Sequence, residues 1–183
     1  PKPLQETVPM WVAARSPITF DYAVAHDCNI MCWPFSMPFA EAEKYKSQLD
    51  EAITKAGGTW SGSFALMRHT AVYETEDDRN AAMVAIRNVL GKFGNVMTKT
   101  GDVRNGFADN VPAEELEGNV RVEPKMLEEN LMFGSPETII EKLRTYEALG
   151  VDAFIYYASM GLEMDVQKRS LQSFIDHVMP EFT

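Results

Sequence analysis

Arg15-Ser16-Pro17-Ile18-Thr19 is the stretch of this chain best suited to hold a negatively charged group. The apolar run Met10 to Ala14 before it reads as a short strand, and a serine followed by a proline reads as an N-cap and first helical position. The turn therefore joins the end of a strand to the start of a helix, whose first N–H groups have no partner inside the helix. Those donors and the positive end of the helix dipole suit an anion. Ser16 Oγ can donate a hydrogen bond, Ile18 and Thr19 bring backbone N–H groups, Ala14 closes the strand, and Arg15 adds charge if it turns inward. A plainer reading stands beside this one. Gly134-Ser135-Pro136-Glu137-Thr138 repeats the same grammar, so Ser16 can equally be only the cap of its helix.

The other reactive side chains are sparse. Cys28 and Cys32 are the only cysteines, with no second pair and no nearby histidine cluster to complete a zinc set, so they read as small buried thiols. His26, His69 and His177 are scattered and none stands in a metal-binding spacing, so no metal site is expected. Arg68 and His69 sit next to each other in an apolar run, and one of two neighbouring strand residues must face inward. Arg68 is read either as a contact to an anionic ligand or as the ion-pair partner of a carboxylate such as Glu74 or Asp77. Trp33, Phe35, Tyr156 and Tyr157 are read either as walls of an apolar pocket or as plain core. No substrate and no catalytic residue follows from them.

The elements that carry these residues alternate. Strands are expected at Met10–Ala14, Asn29–Trp33, Phe64–Tyr73 and Phe154–Tyr157, the last an apolar run suited to a strand buried on both faces. Helices are expected from Pro17 to about Asp27, Phe39–Lys55, Asp77 to about Phe93, Pro136–Leu149 and Val166–Val178. Their inward faces are, in order, Phe20, Ala23 and Val24; Ala42, Tyr45, Leu49 and Ile53; Ala81, Ala82, Val84, Ala85, Val89 and Leu90; Ile139, Ile140, Leu143, Tyr146 and Leu149; and Leu171, Phe174, Ile175 and Val178. Pro180 is expected to end the last helix. From Met97 to Asn130 the apolar pattern lapses into Gly, Asn, Asp, Glu and Pro, which reads either as a mobile lid or as an insertion of solvated turns with one short helix.

Strand and helix in alternation imply parallel strands with right-handed crossovers. No Gly-x-Gly-x-x-Gly follows the first strand and no Walker sequence is present, so an α/β barrel of the (β/α) TIM type is preferred to a doubly wound sheet. The 183 residues with 45% hydrophobic and 24% charged side chains suit one domain, residues 1–183. A net charge of -10 without a basic run argues against nucleic acid and anionic membrane as partners. The chain shows neither a transmembrane stretch nor a signal peptide at its start, and a cytoplasmic location is expected.

Two sets of residues resemble a known family. Gly134-Ser135-Pro136-Glu137-Thr138-Ile139-Ile140-Glu141-Lys142-Leu143, then Gly150-Val151-Asp152, Met160-Gly161 and Val178-Met179-Pro180-Glu181-Phe182, look like the C-terminal end of the bacterial luciferase-like flavin monooxygenases. Pro1-Lys2-Pro3-Leu4-Gln5 with Trp11-Val12-Ala13-Ala14-Arg15-Ser16-Pro17 is similar to the family's fifth-strand segment. The resemblance covers nearly the whole chain and is weakest between Lys99 and Glu129. It implies strands five to eight of a (β/α) barrel, hence its C-terminal half in about four strand-helix units, with the stretch at about 97–130 as the lid. It implies reduced FMN as the cofactor, which activates oxygen to oxidise a small organic substrate, with the flavin phosphate beside Ala14, Arg15, Ser16, Ile18 and Thr19. A deazaflavin-dependent oxidoreductase on the same barrel, or a non-catalytic half that binds flavin or complements a barrel, are the alternatives. The partner expected is the missing N-terminal half, or a second copy, and the fragment alone is expected to be inactive. The family's catalytic histidine belongs to the half not present, so none of the three histidines inherits that role.

Overall fold

The structure, a computed structural model, describes residues 2–98, 102–108 and 122–182. The chain divides into two compact units, one made of residues 1–68 and 143–156, the other of residues 69–142 and 157–183.

In the first unit, β1 (Trp11–Ala13) leads into α1 (Pro17–Ala25), β2 (Asn29–Cys32) into α2 (Phe39–Lys55), and β3 (Phe64–Val72) begins here. β1 pairs with β2 in parallel, Trp11 opposite Asn29 and Ala13 opposite Met31, and β2 pairs with the first residues of β3 in parallel, Ile30 opposite Phe64. Phe20, Ala23 and Val24 of α1, and Ala42, Tyr45, Leu49 and Ala52 of α2, are buried, as the helical periodicity requires of the faces turned to the core. Ile53, expected to face inward, is only half-buried, and Ala52 takes its place. Polar side chains fasten the segment entering β3. Asp27 Oδ1 accepts the Ser61 N–H at 2.9 Å, Asn29 Oδ1 the Ser63 N–H at 2.8 Å, and Asp152 Oδ2 the Phe64 N–H at 2.8 Å. Asp152 also donates its own N–H to the Phe64 carbonyl at 2.9 Å. Asp152→Ala should therefore cost about 1 to 2 kcal/mol of stability, because the Phe64 N–H loses an ionised acceptor. Denaturant titration checks this, and an unchanged midpoint would show that water replaces the carboxylate.

In the second unit, the end of β3 pairs in parallel with β6 (Met132–Gly134), Thr70 opposite Met132. α3 (Glu76–Thr98), the hairpin of β4 (Val103–Arg104) and β5 (Phe107–Ala108), and α4 (Pro124–Asn130) lie between them in sequence. α5 (Pro136–Leu149) starts in this unit and ends in the first, which also holds all of β7 (Ala153–Tyr157) but its last residue; β7 pairs with β3. α6 (Met164–Ser173) runs on into a π turn, Phe174–Val178, and a 3-10 turn, Met179–Phe182. Pro180 thus does not end the helix. It occupies the second position of the 3-10 turn that continues the run.

Several expected faces are corrected. On α3 the buried residues include Ala82, Ala85, Ile86 and Leu90, while Val84 is 63% exposed, since it stands two residues from both Ala82 and Ile86 and so on the opposite side. On α6 and its π turn, Ser170, Phe174 and Val178 face inward, whereas Leu171 and Ile175 are exposed. Ser170 earns its place through its hydroxyl, which accepts the Val72 N–H at 2.8 Å. β7 is half-buried along its whole length, not buried on both faces, while β3, which it flanks, is buried at all but one position. Of the segment 97–130, the hairpin and α4 are described; residues 99–101 and 109–121 of the expected lid lie outside the described residues. No helix among the described residues is long and apolar enough to cross a membrane.

Candidate functional site

The strand register brings the Ser16 turn and the end of β2 to one edge. Ala13 lies opposite Met31, Ala14 donates its N–H to the Met31 carbonyl at 3.0 Å, and the Cys32 thiol donates to the Ala14 carbonyl at 3.1 Å. Both backbone groups of buried Ala14 are thus used by β2, which sets the point where the chain turns to Arg15 and Ser16. Burial pushes the Cys32 thiol up to about 12, against the opposing hydrogen bond to Ala14, so it stays a protonated donor. The cysteine holds the turn. Nothing in the spacing of Cys28 and Cys32 shows this; both are free and buried.

Beyond Ala14 the turn opens to solvent. Arg15, Ser16 and Ile18 are exposed and Thr19 is half-buried. Arg15 is close enough to the Tyr45 phenol for its charge to act there, although burial and Glu41 raise that phenol to about 12. Ser16 does not cap α1 with its side chain; its Oγ lies 3.1 Å from Thr19 Oγ1. The Thr19 N–H, expected as a donor to an anion, is directed at the Ser16 carbonyl at 2.9 Å instead. What the turn presents is a pair of adjoining hydroxyls at a helix start with no acidic residue in its first turn.

The matching motif ahead of α5 is built differently. Ser135 Oγ donates to Glu137 Oε2 at 2.7 Å and accepts the Thr138 N–H at 3.4 Å, so a carboxylate and a side-chain cap already occupy that helix start. The Ser135 hydroxyl in turn lowers the Glu137 pKa. Residue identity at one position makes the difference: Glu137 in one copy, Ile18 in the other. A phosphate fits the first turn and would meet like charge at the second.

Arg68 and His69 end up in different surroundings. Arg68 is fully buried. Its Nε donates to the Tyr146 hydroxyl at 2.9 Å and its Nη1 to the carbonyls of Phe35 at 2.9 Å and Met37 at 2.8 Å. His69 is buried and stacks on Tyr157, ring centroids 4.4 Å apart. Burial lowers its pKa to about 4, which keeps the imidazole neutral. Trp33 and Phe35 are half-buried and meet edge to face at 4.9 Å. Among the described residues no group of three or more His, Cys, Asp or Glu could hold a metal ion.

Known proteins match this chain along its length. The sequence profile of the luciferase-like monooxygenases covers residues 1–153. The oxygenase component of a flavin-dependent trigonelline monooxygenase from Acinetobacter baylyi is 29% identical over 184 residues, which take in 100% of this chain and 51% of that protein. Among solved structures, the monooxygenase RslO1 from Streptomyces bottropensis superposes with a TM-score of 0.71 at 14% identity, over 100% of this chain and 51% of that one. An F420-dependent secondary alcohol dehydrogenase, solved with an F420-acetone adduct, gives a TM-score of 0.62 at 18% identity over 97% and 50%. At such identities the solved structures show a shared fold, the parallel α/β fold of the (β/α) barrels, of which this chain spans about half the relatives' length. With its profile match reaching from the lead-in before β1 to the start of β7, the chain belongs to the family of luciferase-like monooxygenases.

Proposed function

We propose that this chain is the FMN-phosphate-holding half of a flavin-dependent monooxygenase that uses oxygen to oxidise a small organic substrate. The observation that carries the reading is the contrast between the two Ser-Pro-x-Thr helix starts: the one at Ser16 is free of acid and side-chain cap, the one at Ser135 is not. When bound, reduced FMN supplies the electrons that activate oxygen. The chain's own contribution is to bind and orient. The Ser16 and Thr19 hydroxyls and the first-turn N–H of Ile18 hold the phosphate, Arg15 adds positive charge, and the Cys32 thiol fixes the turn through Ala14. The remaining half of the barrel, on the same or another polypeptide or in a second copy, completes the cavity, so this polypeptide alone should not turn over.

The test uses the complete enzyme, with this chain joined to or mixed with its complementary half. Ser16→Ala should weaken FMN by about 1.5 to 3 kcal/mol, the loss of one charge-assisted hydrogen bond, and leave riboflavin nearly unaffected because it carries no phosphate. Equal loss for both ligands, or none for either, would place the phosphate elsewhere. Reduced FMN should support oxygen uptake with substrate, and a response to reduced deazaflavin only would replace the oxygenase reading with hydride transfer.

A further inference from the structure

Phe35 stands in the left-handed region, φ 56°, a conformation that a bulky residue adopts only when its surroundings impose it. It lies in the loop that leaves β2 at the same edge as the Ser16 turn, between Pro34 and Pro38. The Pro34 carbonyl accepts the Met37 N–H at 3.0 Å, which closes the loop into a turn. The carbonyls of Phe35 and Met37 then both point at one guanidinium, that of Arg68. The far side of that guanidinium is fixed by Tyr146, whose ring stacks on Phe39 at 5.4 Å and 12°. Burying a cation at this depth is expensive, and a hydrophobic side chain of similar volume would pack at lower cost, so what the arginine adds is a single defined loop shape. The Trp33 and Phe35 rings of this loop meet edge to face and are half-buried, in the chain that leaves β2 where Ala13 lies opposite Met31.

We propose that Arg68 is a positioning residue: it holds Phe35 in its strained conformation so that the Trp33–Phe35 pair presents an aromatic wall to a planar ring bound at the edge shared with the Ser16 turn. The planar ring is either that of the flavin or that of an aromatic substrate, and both would meet the pair through the same face and edge contacts. This rests on the flavin reading above but goes beyond it, because it assigns a role to residues that do not touch phosphate.

Two substitutions and their combination test it in the complete enzyme, with amide exchange of Trp33 to Met37 and the affinities of riboflavin and trigonelline as readouts. Arg68→Met should speed exchange in the loop at least tenfold, leave Phe64 to Leu66 unchanged, and weaken riboflavin or trigonelline at least fivefold. Adding Phe35→Gly should return the loop to slow exchange, since glycine takes a positive φ without steric cost, yet should not restore ring affinity, since the aromatic wall is gone. A merely structural arginine would not produce that split. If Arg68→Met does not fold, Arg68→Lys serves: its single ammonium cannot span Tyr146 and both carbonyls, and the same split is expected at smaller amplitude. Weakening of riboflavin identifies the flavin ring as the occupant, and weakening of trigonelline alone identifies a substrate ring. Loop exchange indifferent to Arg68, or both ring affinities unchanged, overturns the proposal. Failure of the phosphate reading would look different: the unsubstituted enzyme would bind FMN no more tightly than riboflavin, whatever the loop does.

Discussion

Gly134→Ala is expected to lower stability by about 2 to 5 kcal/mol, combining roughly 1 to 2 for a positive φ and 1 to 3 for overpacking. Gly134 ends β6 with φ 147° and its carbonyl accepts the Tyr73 N–H at 3.0 Å, so the backbone there is tied to the residue after β3 and cannot easily rotate away. A methyl group added at this point would fall 2.8 Å from Thr138 Cγ2 and 2.9 Å from Thr138 Cβ, well inside van der Waals contact. Thr138 cannot retreat without giving up the N–H it donates to Ser135. Gly58→Ala supplies the comparison, because Gly58 has φ 86° with nothing within 4 Å of its would-be Cβ. It should show only the conformational part of the cost. Denaturant midpoints of the two variants measure the difference, and equal losses would mean that the contact with Thr138 relaxes freely. Thr138→Ser in the Gly134→Ala background should recover only part of the loss, since it removes Cγ2 and leaves Cβ in place.

Acid should destabilise the fold through His69 by up to about 3 kcal/mol, taking 1.36 kcal/mol per pKa unit. The imidazole is buried against Tyr157 and titrates at about 4 in the folded chain, against its ordinary 6.5 when unfolded. The sign follows from proton counting. Between pH 6.5 and 4 the unfolded chain binds a proton at this residue that the folded chain does not, so stability falls as pH drops through that window. Above pH 6.5 both states are neutral and His69 contributes no slope; below about 4 both are protonated and the loss is complete. His69→Phe keeps an aromatic ring on Tyr157 but has nothing to titrate, so the stability of the variant relative to the unsubstituted protein should rise by about 3 kcal/mol from pH 7 to pH 4. Parallel pH profiles would show that the imidazole is hydrated in the folded state. The same burial keeps a neutral ring on β3 at physiological pH, so no cationic role is assigned to it.

The sequence by itself determined the local grammar. Ser16-Pro17 and Ser135-Pro136 start helices because a proline at the first position loses no hydrogen bond, and the alternation of apolar strands with amphipathic helices prescribes parallel pairing. The family was legible for the same reason, since its end motifs are made of those caps and turns. Even the contrast between the two helix starts is written in one residue, Ile18 against Glu137, although only the structure shows the carboxylate engaged and the Thr19 N–H turned to Ser16.

Phase and partners belonged to the tertiary structure. A broad apolar stripe does not say which residues sit at its centre, so Val84, Leu171 and Ile175 faced out while Ile86 and Ser170 faced in. Three residues, Met132 to Gly134, are too few to show a period, and β6 became a strand only because β3 offers it a ladder. Arg68 could not be assigned from its neighbours in sequence, because its partners come from the loop after β2 and from α5. The thiol of Cys32 likewise found its acceptor on the adjoining strand. Local propensities are set within a few residues; what a buried donor bonds to is set by whichever strand or loop the fold brings beside it.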